Sequence, residues 1–195
     1  MGQAIGSSGR QKRIFNETLK EARIGSRDAQ YEVGLMYANG VGVGKDISKA
    51  ITWIQQAADR GLAAAQYLLA TRYAAGIDIN KDEHSAFEWY LKAAGQGHSK
   101  AVYKIGKHYE TPHPDIARVF ISKAADLGIA EAQLAMGDDA IARYGDGQGA
   151  AEAAGWFEKA ALQGMAAAQC ALGNLFASGN GVELNLDEAL VWYRK

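Results

Sequence analysis

One short motif recurs along this chain at a nearly fixed interval: two alanines followed three residues later by a glycine. It appears as Ala57-Ala58…Gly61, Ala93-Ala94…Gly97, Ala124-Ala125…Gly128 and Ala160-Ala161…Gly164. A large aromatic stands four residues before each pair (Trp53, Trp89, Phe120, Trp156), and Trp192 continues the series at spacings of 36, 31, 36 and 36. A period of that size specifies stacked helical units, each burying its apolar face only against its neighbours. The functional question therefore concerns a surface rather than an enclosed pocket.

Five such units account for nearly all of the 195 residues. Much of the 48% hydrophobic content is alanine, and only two residues are proline, which favours helix and close helix approach. A net charge of −1 gives no bulk electrostatic reason to expect nucleic acid or an anionic membrane as partner. No 18-residue apolar span and no secretory apolar region is present. Met1-Gly2 invites an acylation reading, but Gly6 stands where Ser or Thr is required. The single Cys170 excludes an internal disulfide, so a reducing, cytoplasmic location is expected.

Aligning the units on Ala29, Ala65, Ala101, Ala132 and Ala168 exposes two helices in each. Four residues on come Val33, Leu69, Ile105, Met136 and Leu172, followed by a small residue: Gly34, Ala70, Gly106, Gly137 and Gly173. Eight residues on are Tyr37, Tyr73, Tyr109, Ala140 and Phe176. This spacing predicts one buried stripe, with the small residue admitting a second helix. First helices are expected near 28–38, 63–75, 99–110, 130–143 and 166–178. Gly40, Gly76 and Gly179 should end three of them in a left-handed conformation. Second helices should open near Asp46, Asp82 and Asp187 as caps or first-turn acids. Their aromatics are expected to lie buried between units. Repeat three loses five residues and turns through Thr111-Pro112-His113-Pro114, while repeat four connects through Gly145-Asp146-Gly147-Gln148-Gly149. Residues 14–25 fall in register with a second helix but carry Glu17 in the aromatic position, which predicts a polar N-terminal cap.

The pattern Ala-Gln-x-x-Leu-Gly-x-x-Tyr-x-x-Gly-x-Gly-Val, then Asp-x-x-Lys-Ala-x-x-Trp-x-x-Lys-Ala-Ala-x-x-Gly, resembles the Sel1-like repeat of the tetratricopeptide superfamily. Ala29-Gln30 through Gly42-Val43 and Lys49-Ala50 through Gly61 match it almost position by position. The resemblance implies an all-α fold, a right-handed α/α solenoid of about five helix-turn-helix repeats with the first helices lining a concave side. The expected organisation is a tail and capping helix over 1–27 and a solenoid over 28–195, with repeats near 28–62, 63–98, 99–129, 130–165 and 166–195. It implies a non-enzymatic interaction scaffold. An immunity or regulatory protein inhibiting a toxin or enzyme, and a module of a larger enzyme, are the alternatives. Since the series stops before a fifth Ala-Ala-x-x-Gly, the chain reads as a piece of a longer protein, with an open apolar end that offers a route to self-association.

Several motifs suggest chemistry and fail on spacing. Gly40-Val41-Gly42-Val43-Gly44-Lys45 is one residue short of a phosphate loop and is followed by Asp46. Asp78-Ile79-Asn80-Lys81-Asp82 lacks the glycine and the distal glutamate of a calcium loop. His98, His108 and His113 lack metal-ligand spacing and read as solvated, and Cys170 reads as a buried or half-buried inert thiol. Asp138-Asp139 point about 100° apart on a helix and cannot address one substrate atom. No catalytic residue, cofactor or metal is expected.

Binding is expected where the repeats differ. Two positions beyond each opening alanine stand Tyr31, Tyr67, Tyr103, Leu134 and Cys170; six beyond stand Leu35, Thr71, Lys107, Asp138 and Asn174; seven beyond stand Met36, Arg72, His108, Asp139 and Leu175. These rows define a candidate partner-binding face of Tyr31, Leu35, Tyr67, Thr71, Arg72, Tyr103, Lys104 and Lys107. Its tyrosines suit an interface, though packing against a second helix would suit them equally. Lys100, Lys104 and Lys107 in repeat three face the acids Glu131, Asp138 and Asp139 of repeat four in sequence order.

Overall fold

The computed structural model describes residues 2–195, with side chains from residue 9 onward, so the Met1-Gly2 acylation question falls outside those side chains. Among the described residues there are eleven helices and no strand: α1 (Gly2–Arg23), α2 (Arg27–Asn39), α3 (Ile47–Asp59), α4 (Ala63–Ala75), α5 (Glu83–Gly95), α6 (Ser99–Tyr109), α7 (Pro114–Asp126), α8 (Ala130–Tyr144), α9 (Gln148–Leu162), α10 (Ala166–Ser178) and α11 (Leu186–Tyr193). The chain forms two compact units, Met1–Ala101 and Val102–Lys195. The first helices fall where the periodicity puts them. One helix more than five pairs is present because the N-terminal segment forms α1, which begins well before residue 14.

Local signals set the boundaries. Gly40, Gly76 and Gly179 close α2, α4 and α10 with φ of 71°, 65° and 68°, a backbone that costs glycine little. Asp46 and Asp82 cap α3 and α5, their carboxylates accepting the N–H groups of Lys49 (3.0 Å) and Ser85 (3.1 Å). In the fifth repeat the cap is Asn185, accepting from the Glu188 N–H at 3.0 Å, and Asp187 is a first-turn acid. Pro114 opens α7, where its missing N–H costs nothing.

The first two positions of the first-helix stripe are buried as expected: Ala29, Val33, Ala65 and Leu69 in the first unit, Ile105, Ala132, Met136, Ala168 and Leu172 in the second. At the third position only Ala140 is buried, and Tyr37, Tyr73, Tyr109 and Phe176 are half-buried. The second-helix aromatics depart from expectation. Trp53, Trp89, Phe120 and Trp156 are only half-buried, and the core position belongs to the next residue, Ile54, Tyr90, Ile121 or Phe157. That residue lies over the small position of the first helix. A Cβ added to Gly34 would stand 2.7 Å from Ile54 Cγ1, and one added to Gly106 2.8 Å from Ile121 Cγ1. Trp89 and Trp156 instead lie under a lysine one turn on, with Lys92 Nζ 3.8 Å from the Trp89 ring centre and Lys159 Nζ 4.0 Å from that of Trp156. An ammonium over an indole face keeps its charge in water while covering the ring. Trp192, the last of the series, is buried.

A second device holds successive helices together. Gln30, Gln66, Gln133 and Gln169 are buried, and each side-chain amide donates to a carbonyl eight residues earlier, at the end of the preceding second helix: Ala22 (3.2 Å), Ala58 (3.0 Å), Ala125 (3.1 Å) and Ala161 (3.2 Å). Each of those carbonyls, in the last turn of its helix, also accepts the N–H of the glycine three residues on, so the amide takes up the second lone pair. The glutamine oxygens are served in turn, with Gln96 Nε2 donating to Gln66 Oε1 and Gln163 Nε2 to Gln133 Oε1, both at 2.8 Å. Gln30 Oε1 is buried without a donor, and the position equivalent to Gln96 holds Arg60. Substituting Arg60→Gln should complete this pair and stabilise the protein by about 1 kcal/mol, the net worth of one hydrogen bond. An unfolding midpoint in urea that fails to rise would show that the substituted amide does not reach Gln30.

Candidate functional site

Positions six beyond the opening alanine lie about 240° around the helix from it, on the side away from the buried stripe. The candidate residues take up unequal roles on that surface. In the first unit Tyr31 is half-buried and packs against the cluster of Ile54, Ala57, Ala58, Ala65 and Leu69, and that burial pushes its phenol above the ordinary value. Tyr67 stacks on the His98 imidazole, ring centres 4.5 Å apart, and tilts against Tyr90 at 5.8 Å. Tyr90 itself is pushed up to about 12, chiefly by burial and then by the charge of Tyr67. Both tyrosines of the candidate face in the first unit are thus partly spent on packing.

Leu35 and Thr71 are likewise half-buried, and the Thr71 hydroxyl donates to the Leu68 carbonyl at 2.7 Å. Arg72 turns aside: its side chain is 18% exposed and pairs with Asp78. Asp78 occupies the left-handed region at φ 64°, in the register where Gly42 stands one repeat earlier. In the second unit Tyr103 is half-buried, its phenol raised first by burial, with Lys107 opposing. Lys104 is exposed, whereas Lys107, also exposed, pairs with Glu110 on the same helix.

Three members of the row seven beyond the alanine turn toward the preceding second helix, whereas His108 stays exposed. Met36 joins the cluster around Phe15, Leu175 is buried beside Ala154, and Asp139 accepts from Arg118 Nε at 2.9 Å. Of the acids of repeat four, Asp139 is therefore locally neutralised, while burial raises the carboxyl of Asp138.

Two further expectations are corrected. His98 is half-buried and stacked rather than solvated, its Nδ1 accepting the Ala101 N–H at 3.4 Å, and desolvation lowers its pKa. Cys170 is exposed, because it occupies the same outward register as Tyr31 and Tyr67 with a far smaller side chain. Among the described residues no group of three or more His, Cys, Asp or Glu is placed to hold a metal ion, and no helix is long and apolar enough to cross a membrane.

Comparison with protein families matches the Sel1 repeat to residues 27–62, 63–98, 130–165 and 166–195. Comparison with curated proteins finds no match. Among solved structures, a protective antigen of uropathogenic Escherichia coli strains with an SLR fold is similar at 30% identity and a TM-score of 0.79, over 94% of this chain and 40% of that one. A Sel1 repeat protein from Oxalobacter formigenes is similar at 30% identity and a TM-score of 0.64, over 90% and 62%. The chain thus spans less than two thirds of the length of either. An immunity protein from Pseudomonas aeruginosa shares the fold at 21% identity and a TM-score of 0.59, over 94% and 72%.

Proposed function

We propose that this chain, which belongs to the Sel1 repeat family, is a non-catalytic interaction module that binds a protein or peptide partner on the surface carried by its first helices. The supporting observation is the contrast between rows. The buried positions repeat a narrow set of small and apolar residues, whereas the outermost row changes from Leu35 and Thr71 to Lys107, Asp138 and Asn174. Packing requires sameness; recognition of one partner requires difference. Within the first unit the binding residues are Tyr31, Leu35, Tyr67, Thr71 and Arg72, and within the second Tyr103, Lys104 and Lys107.

The test uses residues that do not hold up the core. The immobilised chain captures its partner, which is identified by mass spectrometry, and the Leu35→Arg, Thr71→Arg double variant is then compared with wild type. Central apolar contacts carry about 2 kcal/mol or more, so capture should fall at least about thirtyfold with helicity unchanged. Gln55→Ala, on a second helix, should leave it unaltered. Undiminished binding by the folded double variant would move the interface elsewhere. Tyr67→Ala is a poorer first test, since it would also uncover Tyr90 and His98.

A further inference from the structure

The connection between the two helices of a repeat is more than a turn: it is packed against the second helix of the repeat before. In the first unit Gly42, at φ 71°, lies so close to the Gln11 carbonyl of α1 that a Cβ there would overlap it, and Val43 enters the cluster of Phe15, Ala22, Ala29 and Val33. In the second unit Gly181, at φ 71°, lies in the same way on the backbone of Ala150 and Ala151 of α9, with Val182 packed on that core. Each Gly-x-Gly-Val segment thus packs along the preceding helix, at the middle of α1 and in the first turn of α9, and beside α1 it leaves a smaller cleft of about 490 Å³.

At α7 this packing is lost. The register puts Gly145 where Gly42 stands, yet Gly145 and Gly147 have no neighbour within 4 Å of a built Cβ. Helix α8 runs on to Tyr144 and α9 starts already at Gln148, which consumes the loop. What remains is tied to the next loop instead: Asn180 Oδ1 accepts the Gly147 N–H at 2.9 Å, and Asn180 Nδ2 donates to Asp146 at 2.7 Å. An open cleft of about 660 Å³ is left, lined on α7 by Pro114, Asp115, Arg118, Val119 and Ser122 and on α8 by Met136, Asp139 and Arg143.

The lining has changed to match. Arg118 and Asp139 replace the apolar pair found in register as Phe15 and Met36, and Arg143 stands in the register of Gly40. Arg118 Nε satisfies Asp139 at 2.9 Å, whereas Arg143 Nη1 reaches the same carboxylate only at 4.0 Å and its side chain is 42% exposed. In a lining of two acids and two arginines, Arg143 is the less tightly held of the two guanidiniums that share Asp139. Val119, 67% exposed, offers an apolar ledge beside it. Asp115, at the far end of the cleft on the first turn of α7, disfavours a second acidic group there.

We propose that this cleft between α7 and α8 is a second binding site, distinct from the first-helix face, for an extended segment of a partner protein that presents small residues, an apolar side chain and then one carboxylate. The small residues cross Pro114 as Gly42 crosses Gln11, the apolar group covers Val119 and Met136, and the carboxylate pairs with Arg143. Two features select this occupant: the chain's own extended segments lie along the equivalent helices, and the less engaged of the two guanidiniums at Asp139 is suited to a carboxylate.

The probe is a synthetic octapeptide with the sequence of the chain's own residues 178–185, Ser-Gly-Asn-Gly-Val-Glu-Leu-Asn, titrated into ¹⁵N-labelled full-length protein. Saturable shifts should centre on the amides of residues 116–122 and 136–143. Changing the peptide's glutamate to glutamine should weaken binding severalfold, and Arg143→Glu by about tenfold or more, as expected for loss of a charge pair. Arg143→Lys should retain most of it, and Val119→Trp should block it. Both positions are exposed, so circular dichroism should be unchanged, and Leu35→Arg with Thr71→Arg should not affect this peptide. Absence of saturable shifts at α7 and α8, shifts confined to α9, or indifference to both Arg143→Glu and Val119→Trp would overturn the proposal.

Discussion

Phe157→Ala should lower the free energy of unfolding by about 3–5 kcal/mol, the cost of truncating a core aromatic. Trp156→Ala, one residue earlier, should cost only about 1 kcal/mol, within the range of ordinary substitutions. The contrast follows from where the two rings lie. Phe157 is 2% exposed and sits among Ala140, Ala150, Ala153 and Leu172. Its ring occupies the space above Gly137, where a Cβ would overlap it, so removing the ring leaves a cavity that the backbone of α8 cannot close. Trp156 faces outward under Lys159, and water replaces whatever its loss uncovers. Urea unfolding of the two variants decides the matter. Equal costs would return the core position to the tryptophan and undo the assignment made for Ile54, Tyr90 and Ile121.

That pair also shows how far the sequence alone can reach. The spacing of Trp53, Trp89, Phe120 and Trp156 yields the number, order and boundaries of the helix pairs, since every residue on a second helix shares the same period. For the same reason spacing cannot choose between Trp156 and Phe157. The lysine three residues on does not separate them either, since Lys195 covers the buried Trp192 and half-buried Trp53 has Gln56 in that place. The Ala-Gln start is visible in four of the five first helices (repeat three has Ala101-Val102), but a polar residue beside a buried stripe acquires meaning only when the carbonyl of Ala58 or Ala125 is found in front of it. The candidate face was partly legible. Its outer row can be drawn from helix geometry, yet the balance between packing and exposure at Tyr67 depends on Tyr90 and His98, which other elements bring to it. The α7–α8 cleft was not legible at all. Gly145 to Gly149 reads as a flexible link, and Arg118 lies 27 residues before Gly145, so no local pattern joins them.

Gly181→Ala should destabilise the protein by about 3 kcal/mol, placing it near the upper end of single substitutions. Two costs combine. At φ 71° a residue with a Cβ meets its own carbonyl, which costs about 1–2 kcal/mol. The added carbon would also overlap the backbone of Ala150 and Ala151, and backbone in the first turn of a helix cannot swing away as a side chain can. The loop would have to lift, withdrawing Val182 from the core of the second unit. Gly164→Ala separates the two contributions. Gly164 has φ 85° but nothing within 4 Å of its built Cβ, so that substitution should show the conformational cost alone. If Gly181→Ala proves no more harmful than Gly164→Ala, the Gly-x-Gly-Val segment is not held against the preceding helix. The open groove at α7 could then no longer be understood as a site whose own filling has been withdrawn.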